Sequence, residues 1–112
     1  MKQPLGRTAA ALGLLLCSIL SGAAALPPKP VTHTVTIDGT RFQPDTLTVK
    51  LGDSIVWVNK DPFPHTATAK GGEFDSKAIA PGKSWKYKPA KRGDINYVCT
   101  FHPTMAAALH VQ

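Results

Sequence analysis

Beyond residue 30, apolar and polar side chains alternate with a period of two over much of the chain. Val31, His33, Val35 and Ile37 fall on one face, and Thr32, Thr34 and Thr36 on the other, which is the spacing of a half-buried strand. Asp38-Gly39 predicts a turn, and residues 41–45 lead into a second alternation at Leu47, Val49 and Leu51 that stops at Gly52-Asp53. Ser54–Asn59 predicts a third strand. Its Ile55–Val58 stretch is wholly apolar, so it belongs in the interior of a sheet with Trp57 as a large core element. Residues 60–65 read as a loop stiffened by Pro62 and Pro64, which lack backbone donors. Ser84–Lys88 alternates aromatic with basic residues, so Trp85 and Tyr87 should face inward. Ile95, Tyr97 and Cys99 share one parity, and the end of the chain alternates again with Ala107, Leu109 and Val111 together. Residues 66–82 carry turn signals at Gly71-Gly72 and Pro81-Gly82 and little else, so a short helix and an irregular loop fit equally. Six to eight strands and no helical pattern predict an all-β, antiparallel-rich sandwich, with Greek-key connections expected.

The first 25 residues follow a different pattern. Lys2 and Arg7 precede an apolar run from Ala9 to Leu20, and Ala23-Ala24-Ala25 supplies small residues for cleavage. This reads as a secretory signal peptide over residues 1–25, leaving residues 26–112 as a single domain. An uncleaved membrane anchor and lipidation at Cys17 are the weaker readings. Leu14-Leu15-Leu16 puts bulky residues where a lipoprotein signal needs small ones, and Ser18, Ser21 and Gly22 dilute a membrane span.

Removing the leader changes both the charge and the cysteine arithmetic. The full chain has 13 basic and 7 acidic residues, and loss of Lys2 and Arg7 lowers the net charge from +6 to +4. Lys83, Lys86, Lys88, Lys91 and Arg92 cluster in sequence, but without aromatic interleaving on a helix, a Gly-rich loop or a recognised nucleic-acid module. A solvated strand face is the plain reading of this cluster, and steering of an acidic partner is the functional one. Cys99 remains as the lone cysteine, so an internal disulfide is excluded in an exported domain. Metal ligation accounts for a retained thiol.

Cys99-Thr-Phe-His102-Pro-Thr-Met105 supplies that chemistry, with thiolate, imidazole and thioether spaced three residues apart. Taken singly, a cysteine at a strand end, a buried methionine and a loop histidine are ordinary packing or solvated residues. Taken together they form a soft donor set. Two His and one Cys with a long axial Met suit copper moving between its two oxidation states, and His65, in the proline-stiffened loop, is the candidate for the second imidazole. Zinc also accepts two His and a Cys, but the methionine makes it the poorer match. His33 and His110 lie off the motif, on the terminal strands; surface or half-buried histidines are the plain reading of the pair, and a second, weaker metal site is the functional one.

This pattern resembles the cupredoxins, the type 1 blue copper proteins, and Cys-x2-His-x2-Met is similar to their short, amicyanin-type ligand loop. Phe42-Gln-Pro44, Leu47–Asp53, Val56-Trp57-Val-Asn59 and Tyr97-Val-Cys99 are similar to the strand and turn pattern of the family. The resemblance implies a cupredoxin-type Greek-key sandwich with one copper ion. His65, Cys99 and His102 would be its equatorial ligands and Met105 its axial ligand. It also implies that the His102 edge, beside Phe101 and Pro103, is where the electron leaves, with Pro62, Phe63 and Pro64 extending the apolar surface.

Three positions depart from the amicyanin pattern. Thr66 stands where an Asn often ties the two ligand loops, so its side-chain tie is shorter, although its backbone N–H can still reach the Cys99 sulfur. Phe101 replaces a common Pro and restores a backbone N–H near the thiolate, which predicts a raised reduction potential. Ala107 lies near a common Gly and should affect only the last strand.

The reading that follows is an exported, periplasmic one-electron carrier, not an enzyme, since four protein ligands leave no position for a substrate. It is expected to be a monomer that works between a redox donor and a redox acceptor with acidic docking surfaces. Neither nucleic acid binding nor stable membrane insertion after cleavage is expected. Copper storage, delivery or resistance is the alternative; the absence of Met-rich and His-rich tracts counts against it.

Overall fold

A computed structural model describes residues 28–112, together with Gly6, Gly13 and Leu26. The leader expected over residues 1–25 therefore lies outside the described residues, apart from those two glycines. Eight strands form in order: β1 (Thr32–Ile37), β2 (Phe42–Gln43), β3 (Thr46–Val49), β4 (Ser54–Asn59), β5 (Thr68–Ala69), β6 (Ser84–Tyr87), β7 (Gly93–Cys99) and β8 (His102–Val111). No helix occurs among the described residues, and so none there is long and apolar enough to cross a membrane.

The strands make two four-stranded sheets, β2-β1-β4-β6 and β3-β8-β7-β5, and the chain passes repeatedly from one to the other. Four of the strand pairs are antiparallel, as the sequence predicts. β1 with β4 and β3 with β8 are parallel, with Thr32 opposite Ser54 and Thr46 opposite Ala108. A parallel pair needs a long crossover. Here β2 and β3 supply it between β1 and β4, so no helix is required.

Alternation explains what each sheet buries. In β4, Ile55, Trp57 and Asn59 are buried and Ser54, Val56 and Val58 are half-buried. In β7, Ile95, Tyr97 and Cys99 point inward as their shared parity predicts. Trp57 is fully buried at the centre, with its ring 5.3 Å from Phe74, 5.6 Å from Trp85 and 5.5 Å from Tyr97. Removing such a ring costs about 3–5 kcal/mol in a packed core.

Residues 66–82 form the two-residue β5 and turns, not a helix. Phe74 from this segment enters the core, which draws an otherwise weakly patterned stretch onto the sandwich. At the end of the domain where β1 begins, Asp53 accepts the N–H groups of Val31 and Lys50 and meets His33 Nε2 at 2.9 Å. These bonds hold its carboxyl down at about 2, the Val31 N–H contributing most and His33 next.

Candidate metal centre

The opposite end carries the residues singled out by the sequence, and a buried asparagine shapes the first of their loops. Asn59, at the end of β4, donates to the carbonyls of Phe63 and Ile79 and accepts the N–H of Asp61, each at 2.9 Å. Asn59 thereby satisfies backbone groups that two prolines leave without ladder partners. The next ordered contact is a backbone bridge in which His65 and Ile79 exchange both N–H···O bonds, at 3.2 and 2.7 Å. His65 is left fully buried on a rigid backbone.

Its ring is fixed as firmly. Nε2 lies 2.6 Å from Asp61 Oδ2, and the same carboxylate accepts the N–H groups of Gly39 and Thr40 at 2.7 and 2.9 Å. Burial by itself raises the Asp61 carboxyl, but the Thr40 N–H, the His65 ring and the Gly39 N–H outweigh it and hold the group below its ordinary value. His65 Nδ1 faces the other way, toward Cys99.

The other ligand candidates come from one hairpin. Cys99 closes β7 and pairs across the ladder with His102, the first residue of β8, with a register shift after Val98. Only Thr100 and Phe101 make the turn. The Cys-x2-His spacing is thus a two-residue hairpin loop, which sets its flanking residues side by side on adjacent strands. Sγ of Cys99 is 3.6 Å from His65 Nδ1 and 3.9 Å from His102 Nδ1, and the three donor atoms lie within 4.8 Å of one another. Met105 lies three residues further along β8 and is buried in the core.

Those separations suit one small ion. Ligand bonds of about 2.0–2.3 Å place three coplanar donors roughly 3.5–4 Å apart, close to the two sulfur–nitrogen distances here. A buried free thiol facing two imidazoles is also the mixed soft and intermediate donor set that copper prefers. The residues present therefore fit a copper ion, which would supply one-electron chemistry when bound.

Two of the three departures from the amicyanin pattern take a definite form. Thr66 donates its N–H to Cys99 Sγ at 3.3 Å, and its hydroxyl accepts the Thr100 N–H at 2.8 Å, so the loops are tied as an Asn would tie them. Phe101 differs from expectation: Thr66 is the backbone donor to the sulfur among the described residues, while the Phe101 ring is 52% exposed. The Phe101 N–H makes no hydrogen bond to that sulfur among the described residues, which removes the sequence-based reason for a raised potential.

Phe63, 40% exposed, lies over both imidazoles, with ring centres 5.1 Å from His65 and 6.0 Å from His102. With Pro64, Phe101 and the half-buried His102 it lines an apolar hollow at the surface. His33 and His110 are not brought together: His33 pairs with Asp53 in one sheet, and His110 with Asp94 in the other. Lys83, Lys86, Lys88, Lys91 and Arg92 are all exposed. Asp61 and Asn59 are the functional residues that sequence reasoning missed. The available signal was Asp61 itself, an acidic residue four positions before His65 in a loop built to be rigid.

Comparisons with known proteins agree with this geometry. The sequence profile of the cupredoxin-like domain matches residues 8–111. Plastocyanin from Tetradesmus obliquus is 33% identical over 72 residues, covering 54% of this chain and 50% of that protein, so the match spans half of that relative's length. Amicyanin from Paracoccus versutus is 26% identical over 95 residues, covering 80% of this chain and 70% of its own. Among solved structures, a Cu(I) form of an amicyanin variant superposes with a TM-score of 0.68 at 23% identity, covering 80% of this chain and 89% of that one. A copper-containing nitrite reductase from Thermus scotoductus gives 0.67 at 29% identity, covering 81% of this chain but only 24% of the enzyme. The strand order, the placement of His65, Cys99 and His102 in one cluster, and these matches converge: the chain belongs to the cupredoxin family, whose members bind copper and carry electrons.

Proposed function

We propose that residues 26–112 form an exported mononuclear type 1 copper domain that carries single electrons, with His65, Cys99 and His102 as equatorial ligands and Met105 as the axial one. The observation that carries this reading is the fully buried Cys99 thiol facing two imidazole Nδ1 atoms at 3.6 and 3.9 Å. Soft sulfur favours Cu(I) and imidazole favours Cu(II), so a rigid mixed site lets an electron come and go with little rearrangement. His65 is locked by the Ile79 bridge and by Asp61, and Cys99 by the hairpin and the Thr66 N–H. Four protein ligands leave no place for a substrate, which favours a carrier over an enzyme.

Half-buried His102, framed by Phe63, Pro64 and Phe101, is the proposed contact with redox partners. The excess of exposed basic residues would favour partners with acidic surfaces. The leader pattern supports a periplasmic location for the monomeric domain.

Stopped-flow mixing of the copper-loaded protein with a small soluble oxidant or reductant tests the role. Fast, reversible, single-exponential exchange in both directions, with copper retained, is the expected result. Exchange that is slow, or that releases copper, would favour storage or delivery instead.

A further inference from the structure

We propose that the Asp61 carboxylate, hydrogen-bonded behind His65, sets the reduction potential of the site below the value its ligands alone would give. This inference rests on the copper reading above and names a positioning residue outside the ligand set.

The geometry leaves the ring one arrangement. An ionised carboxylate only accepts hydrogen bonds, so the 2.6 Å contact from Nε2 to Asp61 Oδ2 requires the ring proton on Nε2. The neutral ring then presents its lone pair at Nδ1, the nitrogen that faces Cys99 Sγ. The carboxylate itself cannot swing away. Gly39 and Thr40 N–H groups hold it from one side, and Asn59 Oδ1 holds the Asp61 N–H. Gly39 and Thr40 both have φ near +60°, which turns successive N–H groups toward one acceptor.

The two imidazoles are therefore unequal. His65 is backed by a full negative charge at a position with no solvent exposure, whereas His102 is half-buried and its Nε2 has no hydrogen-bond partner among the described residues. A carboxylate behind a ligating imidazole raises the basicity of the ligand. Its charge also acts at short range with little screening. Both effects favour the more highly charged metal state, so Asp61 stabilises Cu(II) over Cu(I) and lowers the potential. A purely structural Asp61 would affect folding and leave the potential alone.

The test begins with the metal-free wild-type protein at about pH 8. Long-range proton–nitrogen NMR should find the His65 proton on Nε2; a proton on Nδ1 overturns the proposal without any variant. The copper-loaded wild type, Asp61→Asn and Val49→Ala are then compared by redox titration. Val49 is a buried β3 residue at the far end of the sandwich. Asp61→Asn should shift the Cu(I):Cu(II) ratio at fixed ambient potential about tenfold toward Cu(I), a rise of about 59 mV for one electron. Val49→Ala should lower the thermal midpoint and leave the ratio unchanged. An unmoved ratio in Asp61→Asn, or an equal shift in Val49→Ala, overturns the proposal. If wild-type protein shows no thiolate-to-copper absorption, the copper reading fails and takes this inference with it. Absorption with an unmoved potential removes the inference alone.

Discussion

Thr66 donates its backbone N–H to the Cys99 sulfur at 3.3 Å, while its hydroxyl accepts the Thr100 N–H at 2.8 Å and meets the Thr68 hydroxyl at 3.0 Å. One residue thus joins the His65 loop to the Cys99–His102 hairpin through two independent groups. The first acts on the thiolate and the second on the backbone that carries it.

Separating these groups gives the first prediction. Thr66→Val keeps the N–H and the shape but removes the acceptor for Thr100, leaving a part-buried donor unsatisfied, at a cost of about 1–3 kcal/mol. Thermal unfolding should fall by roughly 4–8 °C for each kcal/mol lost. The thiolate-to-copper absorption should persist, and Thr66→Ser, which restores the hydroxyl, should recover most of the stability. Loss of the absorption band in Thr66→Val would show that the hydroxyl, not the N–H, governs the sulfur.

Phe63 covers both imidazoles from the solvent side, and an apolar shell of this kind controls water access to a metal site. Phe63→Ala should hasten removal of copper by an excess of soluble chelator, by about tenfold, with little change in unfolding temperature because the ring is already 40% exposed. Chelator kinetics equal to wild type would mean that the ring does not guard the site.

At the far end, Asp53 links acid stability to the fastening of β1. Its carboxyl is held at about 2 against an ordinary 3.8, a depression in the folded state. The contribution is complete above about pH 4 and disappears as pH falls from there toward 2. Asp53→Asn should flatten the stability profile of the metal-free protein across that window. It should also lower stability near neutral pH, where the variant lacks the charged acceptor for Val31, Lys50 and His33. An acid-unfolding profile that keeps its wild-type slope in Asp53→Asn would assign the acid sensitivity to other carboxylates.

The wholly apolar Ile55–Val58 run was enough to place β4 at Ser54–Asn59 inside a sheet, where its second face is half-buried. Period-two patterning was enough to orient Ile95, Tyr97 and Cys99, because β7 buries that one parity. It said nothing of β5, whose two residues are too few to show a period, or of the parallel pairing of β1 with β4, which depends on how distant segments meet. The ligand stretch was legible as chemistry, from residue types and spacing. Its backbone was less so: the segment expected as a loop is a two-residue turn followed at once by β8, and in that turn Phe101 is exposed and makes no hydrogen bond to the sulfur. Asp61 was hidden because its role exists only when the turn at Gly39 and Thr40 folds against it from 21 and 22 residues away.

The central claim is that Cys99, held between His65 and His102, binds copper through its thiolate. Adding one equivalent of Cu(II) to the purified protein and recording its visible spectrum tests this directly, with Cys99→Ser alongside. Intense absorption from thiolate-to-copper charge transfer in the wild type, absent in Cys99→Ser, is the predicted result. A wild-type spectrum without that band, or a band that survives in Cys99→Ser, would contradict it.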